Sequence, residues 1–82
     1  MTRLEKLLLN LKNQSFVLIY EEGLEEMHVY YDELDDTINV KNMCHFASVD
    51  YYKYNIEGIY TVLQRFQSDL DQLEIEVQVL TK

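Results

Sequence analysis

The residues of this chain whose types could support chemistry are few: Cys44-His45 with His28 upstream, the carboxylates Asp32, Asp35 and Asp36, and Tyr51, Tyr52 and Tyr54 around Lys53. A zinc site is not expected, because adjacent residues rarely aim both side chains at one ion and no C-x₂-C or H-x₃-H spacing is present. Cys44 as a nucleophile with His45 as its base lacks a third, orienting group. It reads instead as a buried or partly buried thiol. The three aspartates lack the Gly at the sixth position that a calcium-binding EF-hand loop requires, so they allow only loose cation association. The tyrosines beside Lys53 could stack single-stranded bases, but a net charge of −8 repels nucleic acid. They read better as a tyrosine-rich helix start packed on a sheet. With no Gly-rich phosphate loop and no Ser-His-Asp constellation, the expectation is a non-enzymatic protein with no catalytic residue, no metal and no cofactor.

The charge is more informative. The chain has 15 acids and 7 Lys and Arg, and eight of the acids (Glu21, Glu22, Glu25, Glu26, Asp32, Glu33, Asp35 and Asp36) fall in one window without a base. Outside it, 15 − 8 leaves 7 acids against 7 bases, so the whole net charge belongs to that window. On a hairpin with arms of about six residues, roughly 20 Å long, eight carboxylates give about one charge per 2.5 Å. Duplex DNA carries about one per 1.7 Å, and a groove built for a phosphate backbone could accept such a hairpin. Tyr20, Tyr30 and Tyr31 add amphipathic surface of the kind enriched at interfaces. The candidate partner-binding set is Glu22, Glu25, Glu26, Tyr30, Tyr31, Asp32, Asp35 and Asp36. The competing reading is a solvated face that maintains solubility and discourages strand pairing. Such a face usually mixes signs, whereas no base occurs here between Asn13 and Val40.

These residues need elements to position them. The 82 residues support a single domain, 1–82, of α+β class. Leu4, Leu7, Leu8 and Leu11 follow helical spacing behind Thr2 and Glu5, a capping-box pair, so an N-terminal helix is expected. Ser15 to Tyr20, Met27 to Tyr31 and Thr37 to Val40 read as a three-stranded antiparallel meander, its first turn built on Gly23. Lys41 to Ser48 reads as a loop tucking Met43 and Phe46 into the core. Val49, Tyr52, Ile56, Ile59, Leu63, Phe66, Leu70, Leu73, Val77 and Leu80 alternate by 3 and 4, the rhythm of a long amphipathic C-terminal helix from about Ser48. Gly58 weakens that reading, and Leu73, Ile75, Val77 and Val79 alternate with polar residues as a strand would. The balance favours helix to about Asp71 and then a strand. No apolar run reaches the roughly 20 residues of a membrane span, and a single Cys fits a reducing compartment. A cytoplasmic protein is expected, in the host cell if phage-encoded.

The opening helix followed by Leu11-Lys12-Asn13-Gln14-Ser15-Phe16-Val17-Leu18, together with the acidic meander, resembles the small Cas9-inhibiting anti-CRISPR proteins of phages and prophages. The resemblance covers about the first twenty positions and implies an acidic helix-and-sheet protein that occupies the site where a nuclease reads target DNA. This chain departs from it in its heptad-like C-terminal half, and no functional residue carries over. The leading expectation is an inhibitor or nucleic-acid mimic that occupies a basic groove of a nucleic-acid enzyme such as a CRISPR nuclease, without binding nucleic acid or membrane itself. The alternatives are an antitoxin or immunity protein acting in the same way on another target, and a self-associating adaptor, a homodimer through the seam from Val49 to Leu80.

Overall fold

The computed structural model describes residues 2–20, 23, 25–44, 49–72 and 75–81. Helix α1 (Arg3–Leu9) starts as its sequence dictates: the Thr2 hydroxyl accepts from the Glu5 backbone N–H at 3.2 Å and donates to the Glu5 carboxylate at 3.1 Å. Asn10 ends it, and the chain turns into β1 (Gln14–Tyr20), then β2 (Glu25–Asp32), β3 (Thr37–Cys44) and β4 (Asp50–Tyr54). Helix α2 (Ile56–Leu63) continues through a 3₁₀ turn (Gln64–Phe66) into α3 (Gln67–Asp71), and β5 (Glu76–Thr81) closes the fold. Gly23 supplies the left-handed residue of the first turn, at φ +86°.

The strands form one antiparallel sheet in the order β4-β3-β2-β1-β5. Alternation sends Phe16, Leu18, Met27, Val29, Ile38 and Val40 to one face, where they form a single core with Leu4, Leu8, Leu11, Ile59, Leu63, Leu70 and Ile75. All three helices lie on that face. The other presents Ser15, Val17, His28, Tyr30, Lys41 and Leu80, which line a shallow cleft of about 290 Å³.

The protein is α+β, but the expected three-stranded meander is corrected to five strands. The fourth comes from the segment expected as loop and helix start. Tyr51, Tyr52 and Tyr54 have high strand propensity, and β4 pairs with β3 so that Tyr54 lies opposite Ile38 and Tyr52 opposite Val40. β3 itself continues to Cys44, which places Met43 within a strand rather than in a core-filling loop, while Phe46 lies outside the described residues. The helix begins only at Ile56, because Asn55 adopts an extended conformation and its side chain accepts the Gly58 N–H at 2.7 Å. Gly58 therefore sits in a first turn, where a Cβ would come within 3.0 Å of the capping oxygen.

The C-terminal helix ends at Asp71 and a strand follows it, as expected, but it starts at Ile56 rather than near Ser48 and is interrupted by the 3₁₀ turn at Gln64–Phe66. Of the seam, Ile59, Leu63 and Leu70 are fully buried, whereas Val49, Tyr52 and Ile56 are exposed. The tail pairs with β1, placing Val77 opposite Leu18 and Val79 opposite Phe16. Leu73 lies outside the described residues.

Two substitutions test this assignment by chemical denaturation. Asn55→Ala should destabilise the protein by about 1 kcal/mol through loss of the α2 cap. Leu63→Ala should cost about 2 to 5 kcal/mol, because its side chain is completely enclosed. A smaller loss for Leu63→Ala than for Asn55→Ala would contradict the core described here.

Candidate functional site: the acidic turn

The turn between β2 and β3 carries Asp32, Glu33, Asp35 and Asp36 around Leu34. The sequence builds it through local carboxylate contacts. Asp32 accepts the Leu34 N–H at 2.9 Å, an Asx turn that competes with strand continuation. Asp36 then takes φ +51°, the left-handed conformation that Asp tolerates better than most residues. Leu34 projects from the apex at 98% exposure.

The chain is more balanced in space than in sequence. Lys53 arrives from β4 and donates to Asp35 at 2.6 Å, while the Thr37 hydroxyl donates to the other Asp35 oxygen at 2.9 Å. These contacts, the lysine's first, hold the Asp35 carboxyl below the usual carboxylate range and raise the Lys53 ammonium above its ordinary value. The Tyr31 hydroxyl donates to Asp36, which raises the tyrosine's pKa, because its anion would face that carboxylate. Lys12 lies 5.2 Å from the centre of the Tyr31 ring, a cation–π distance.

The expected contact residues do not form one surface. Asp32, Asp35 and Asp36 sit at one end of β2, and Glu25 and Glu26 begin its other end, about 23 Å away at ~3.3 Å per residue. Glu26 is engaged with His28 at 3.1 Å. Tyr30 lies on the open face of the sheet, whereas Tyr31 packs against the core on the helix side. Glu22 lies outside the described residues. Sequence reasoning grouped Lys53 with its neighbouring tyrosines and missed its pairing with Asp35, 18 positions away. It also missed Leu34, which could have been noticed as one large apolar residue within Asp-Glu-Leu-Asp-Asp.

The other candidates are dispersed. Glu25 pairs with Cys44 and His28 with Lys41, so the thiol and the imidazole are three register positions apart on opposite faces. His45 lies outside the described residues, among which no cluster of three His, Cys, Asp or Glu could hold a metal. Tyr51 lies on the open face, 5.8 Å from Lys41, while Tyr52 and Tyr54 lie on the helix side. They offer no common stacking platform. No described helix is long and apolar enough to cross a membrane. Compared with known proteins, the chain matches no family model, no curated protein and no solved structure.

The Lys53 contact has a titration signature. In Lys53→Met, the Asp35 carboxyl should titrate closer to an ordinary aspartate, as followed by carboxyl NMR across an acid titration. In the parent protein, the stability that the pair contributes is present above the unfolded aspartate pKa and is lost as pH falls through the lowered folded value. An unchanged Asp35 titration in Lys53→Met would assign its depression to the Thr37 hydroxyl.

Proposed function

We propose that this protein is a non-catalytic binding protein whose acidic β2–β3 turn docks on a basic surface of a nucleic-acid enzyme and blocks it, a CRISPR nuclease being one enzyme of that description. The observation that carries the reading is the concentration of four carboxylates in five consecutive residues at one end of the sheet, with Lys53 as the ammonium paired directly to them. Lys53 holds Asp35 in place, leaving the remaining carboxylates to set the sign of the field there. An exposed acidic end steers a basic partner during diffusional approach and orients it on encounter. Leu34 at the apex supplies an apolar contact at the centre of that field, as productive interfaces combine a desolvated anchor with a polar rim.

The two acidic ends of β2 would meet different parts of a partner about 23 Å apart, so the turn rather than the whole hairpin is the contact unit. The self-associating adaptor is the second reading, with a shorter seam than expected, because the segment from Val49 to Leu80 divides into a strand, a helical stretch over Ile56–Asp71 and a second strand.

A Cas9–guide complex provides a direct assay. The parent protein should reduce its binding to target DNA. Replacing Asp32, Asp35 and Asp36 by Asn and Glu33 by Gln removes four negative charges and should weaken inhibition at least about tenfold. Removing four elsewhere, by Asp50→Asn, Glu57→Gln, Asp69→Asn and Glu76→Gln, should have a much smaller effect. Equal losses would make net charge alone responsible, and an absence of inhibition by the parent protein would exclude this enzyme as its target.

A further inference from the structure

The outermost strands of the sheet, β4 and β5, differ in how their edges are defended. An outermost strand carries a row of backbone N–H and C=O groups that its one neighbour leaves unpaired, and charged side chains are the usual means of keeping another strand away. β4 has Asp50 and Lys53. β5 is 6 residues long, with Glu76 at its first position and then Val-Gln-Val-Leu-Thr, a run of high strand propensity without Lys, Arg, Pro or Gly. Its register against β1 puts Val77 and Val79 on the helix side, opposite Leu18 and Phe16, and Glu76, Gln78 and Leu80 on the open face. Val79 and Leu80 remain 47% and 49% exposed. Apolar surface is therefore left on both faces of one lightly charged edge.

We propose that two copies of the chain pair antiparallel through β5, about a twofold axis at Gln78, and so join two five-stranded sheets into one. What selects a second copy is the self-complementarity of this edge. In an antiparallel pair related by a twofold axis, opposed residues have numbers that sum to a constant, and a continuous pleat requires them to share a face, so the constant is even. Centred on Gln78, the pairing sets each Val77 against the partner's Val79 on the helix side, giving every valine of β5 a valine opposite it. On the open face Glu76 meets the partner's Leu80, and the two Gln78 amides meet on the axis, where each can donate to the other. No carboxylate faces a carboxylate. That matters for a chain of net charge −8, because its copies repel unless they meet where acids are sparse. β5 has one acid, and the acidic turn after β2 is separated from it by β1. The proposal does not depend on the acidic turn, and it uses a strand edge rather than the helical seam. The paired segment is far shorter than the roughly 20 to 30 residues a side of a standard interface, so the dimer should be weak, with a Kd of about 100 µM.

Sedimentation equilibrium of the full chain, from about 10 µM to about 1 mM, tests this, and a monomer–dimer equilibrium is expected. Leu80→Lys creates two lysine–glutamate pairs across the axis, against Glu76 of each copy, and should tighten the dimer at least about threefold, a gain that structural damage would not produce. Leu80→Glu sets like charges there and should weaken it about tenfold. Gln64→Lys and Gln64→Glu, at an exposed position outside the sheet, make the same changes in net charge and should leave Kd within about twofold. Gln78→Lys and Gln78→Glu should each weaken self-association, and an equimolar mixture of the two proteins should restore it, because opposite charges then meet on the axis. A chain that stays monomeric at about 1 mM overturns the proposal. So does a dimer in which the Leu80 variants act no differently from the Gln64 variants, or in which mixing the Gln78 variants restores nothing. A dimer dispersed by Ile56→Ser and indifferent to Leu80 overturns it in favour of the helical seam.

Discussion

Strand β1 is hydrogen-bonded on both sides, to β2 and to β5, and its register fixes which side chains enter the core. Because the helices cover only one face of the sheet, side-chain alternation leaves no freedom in that register. A slip of one residue between β1 and β5 would turn Val77 and Val79 to the open face and bring Glu76 and Gln78 to the helix-covered face. The same pairing ties the C-terminal strand to the middle of the sheet, with Thr81 opposite Gln14. Arg3 ties α1 to the end of α3, its backbone N–H donating to the Asp71 carboxylate at 3.2 Å and its guanidinium to the Leu70 carbonyl at 3.4 Å. The helices are thus held over a sheet whose register is set by the burial of Phe16 and Leu18.

Elements with local signals could be read from the sequence. Thr2 and Glu5 announced α1, and the apolar runs from Ser15, Met27 and Thr37 marked the first three strands within a few residues of their ends. The fourth strand was hidden by coincidence of period. Val49, Tyr52 and Ile56 satisfy helical spacing, yet Tyr52 belongs to a strand and Ile56 to the helix that follows, with the Asn55 cap between them. Aromatic density and an Asn at the junction are the sequence signals that should have outweighed spacing. Pairing to β3 decides the matter physically, because Tyr54 and Tyr52 extend rows already formed by Ile38 and Val40. A non-local partner of that kind cannot be seen from periodicity alone.

The charge shows a different limit. A window with no base in sequence acquires one in space when Lys53 reaches Asp35 across the turn. A strand of 8 residues also separates what a linear count had combined, placing Glu25 and Asp32 at opposite ends. Linear charge density is a useful comparison with a polyelectrolyte only if the carboxylates lie along one line, and here they collect at two poles. The likeness to a DNA backbone weakens accordingly, and the proposed contact narrows to one pole. A short turn constrained by an Asx contact and a lysine has little conformational entropy left to lose, which would favour the proposed contact.

An apolar groove between α1 and the start of α2, beside that turn, follows from the length of α1. The helix stops after Leu9 because the Asn10 side chain folds back to the Lys6 carbonyl at 3.0 Å and the Asn10 carbonyl accepts the Gln14 N–H at 2.8 Å, which leads directly into β1. The early stop leaves Leu9 and Ile56 exposed on one trough. A polar side chain at position 9 would leave the core intact, since Leu9 is outside it, so folding supplies no reason for a leucine there. Single exposed apolar residues need no explanation. Two that line the same trough form a patterned apolar surface beside the acidic turn.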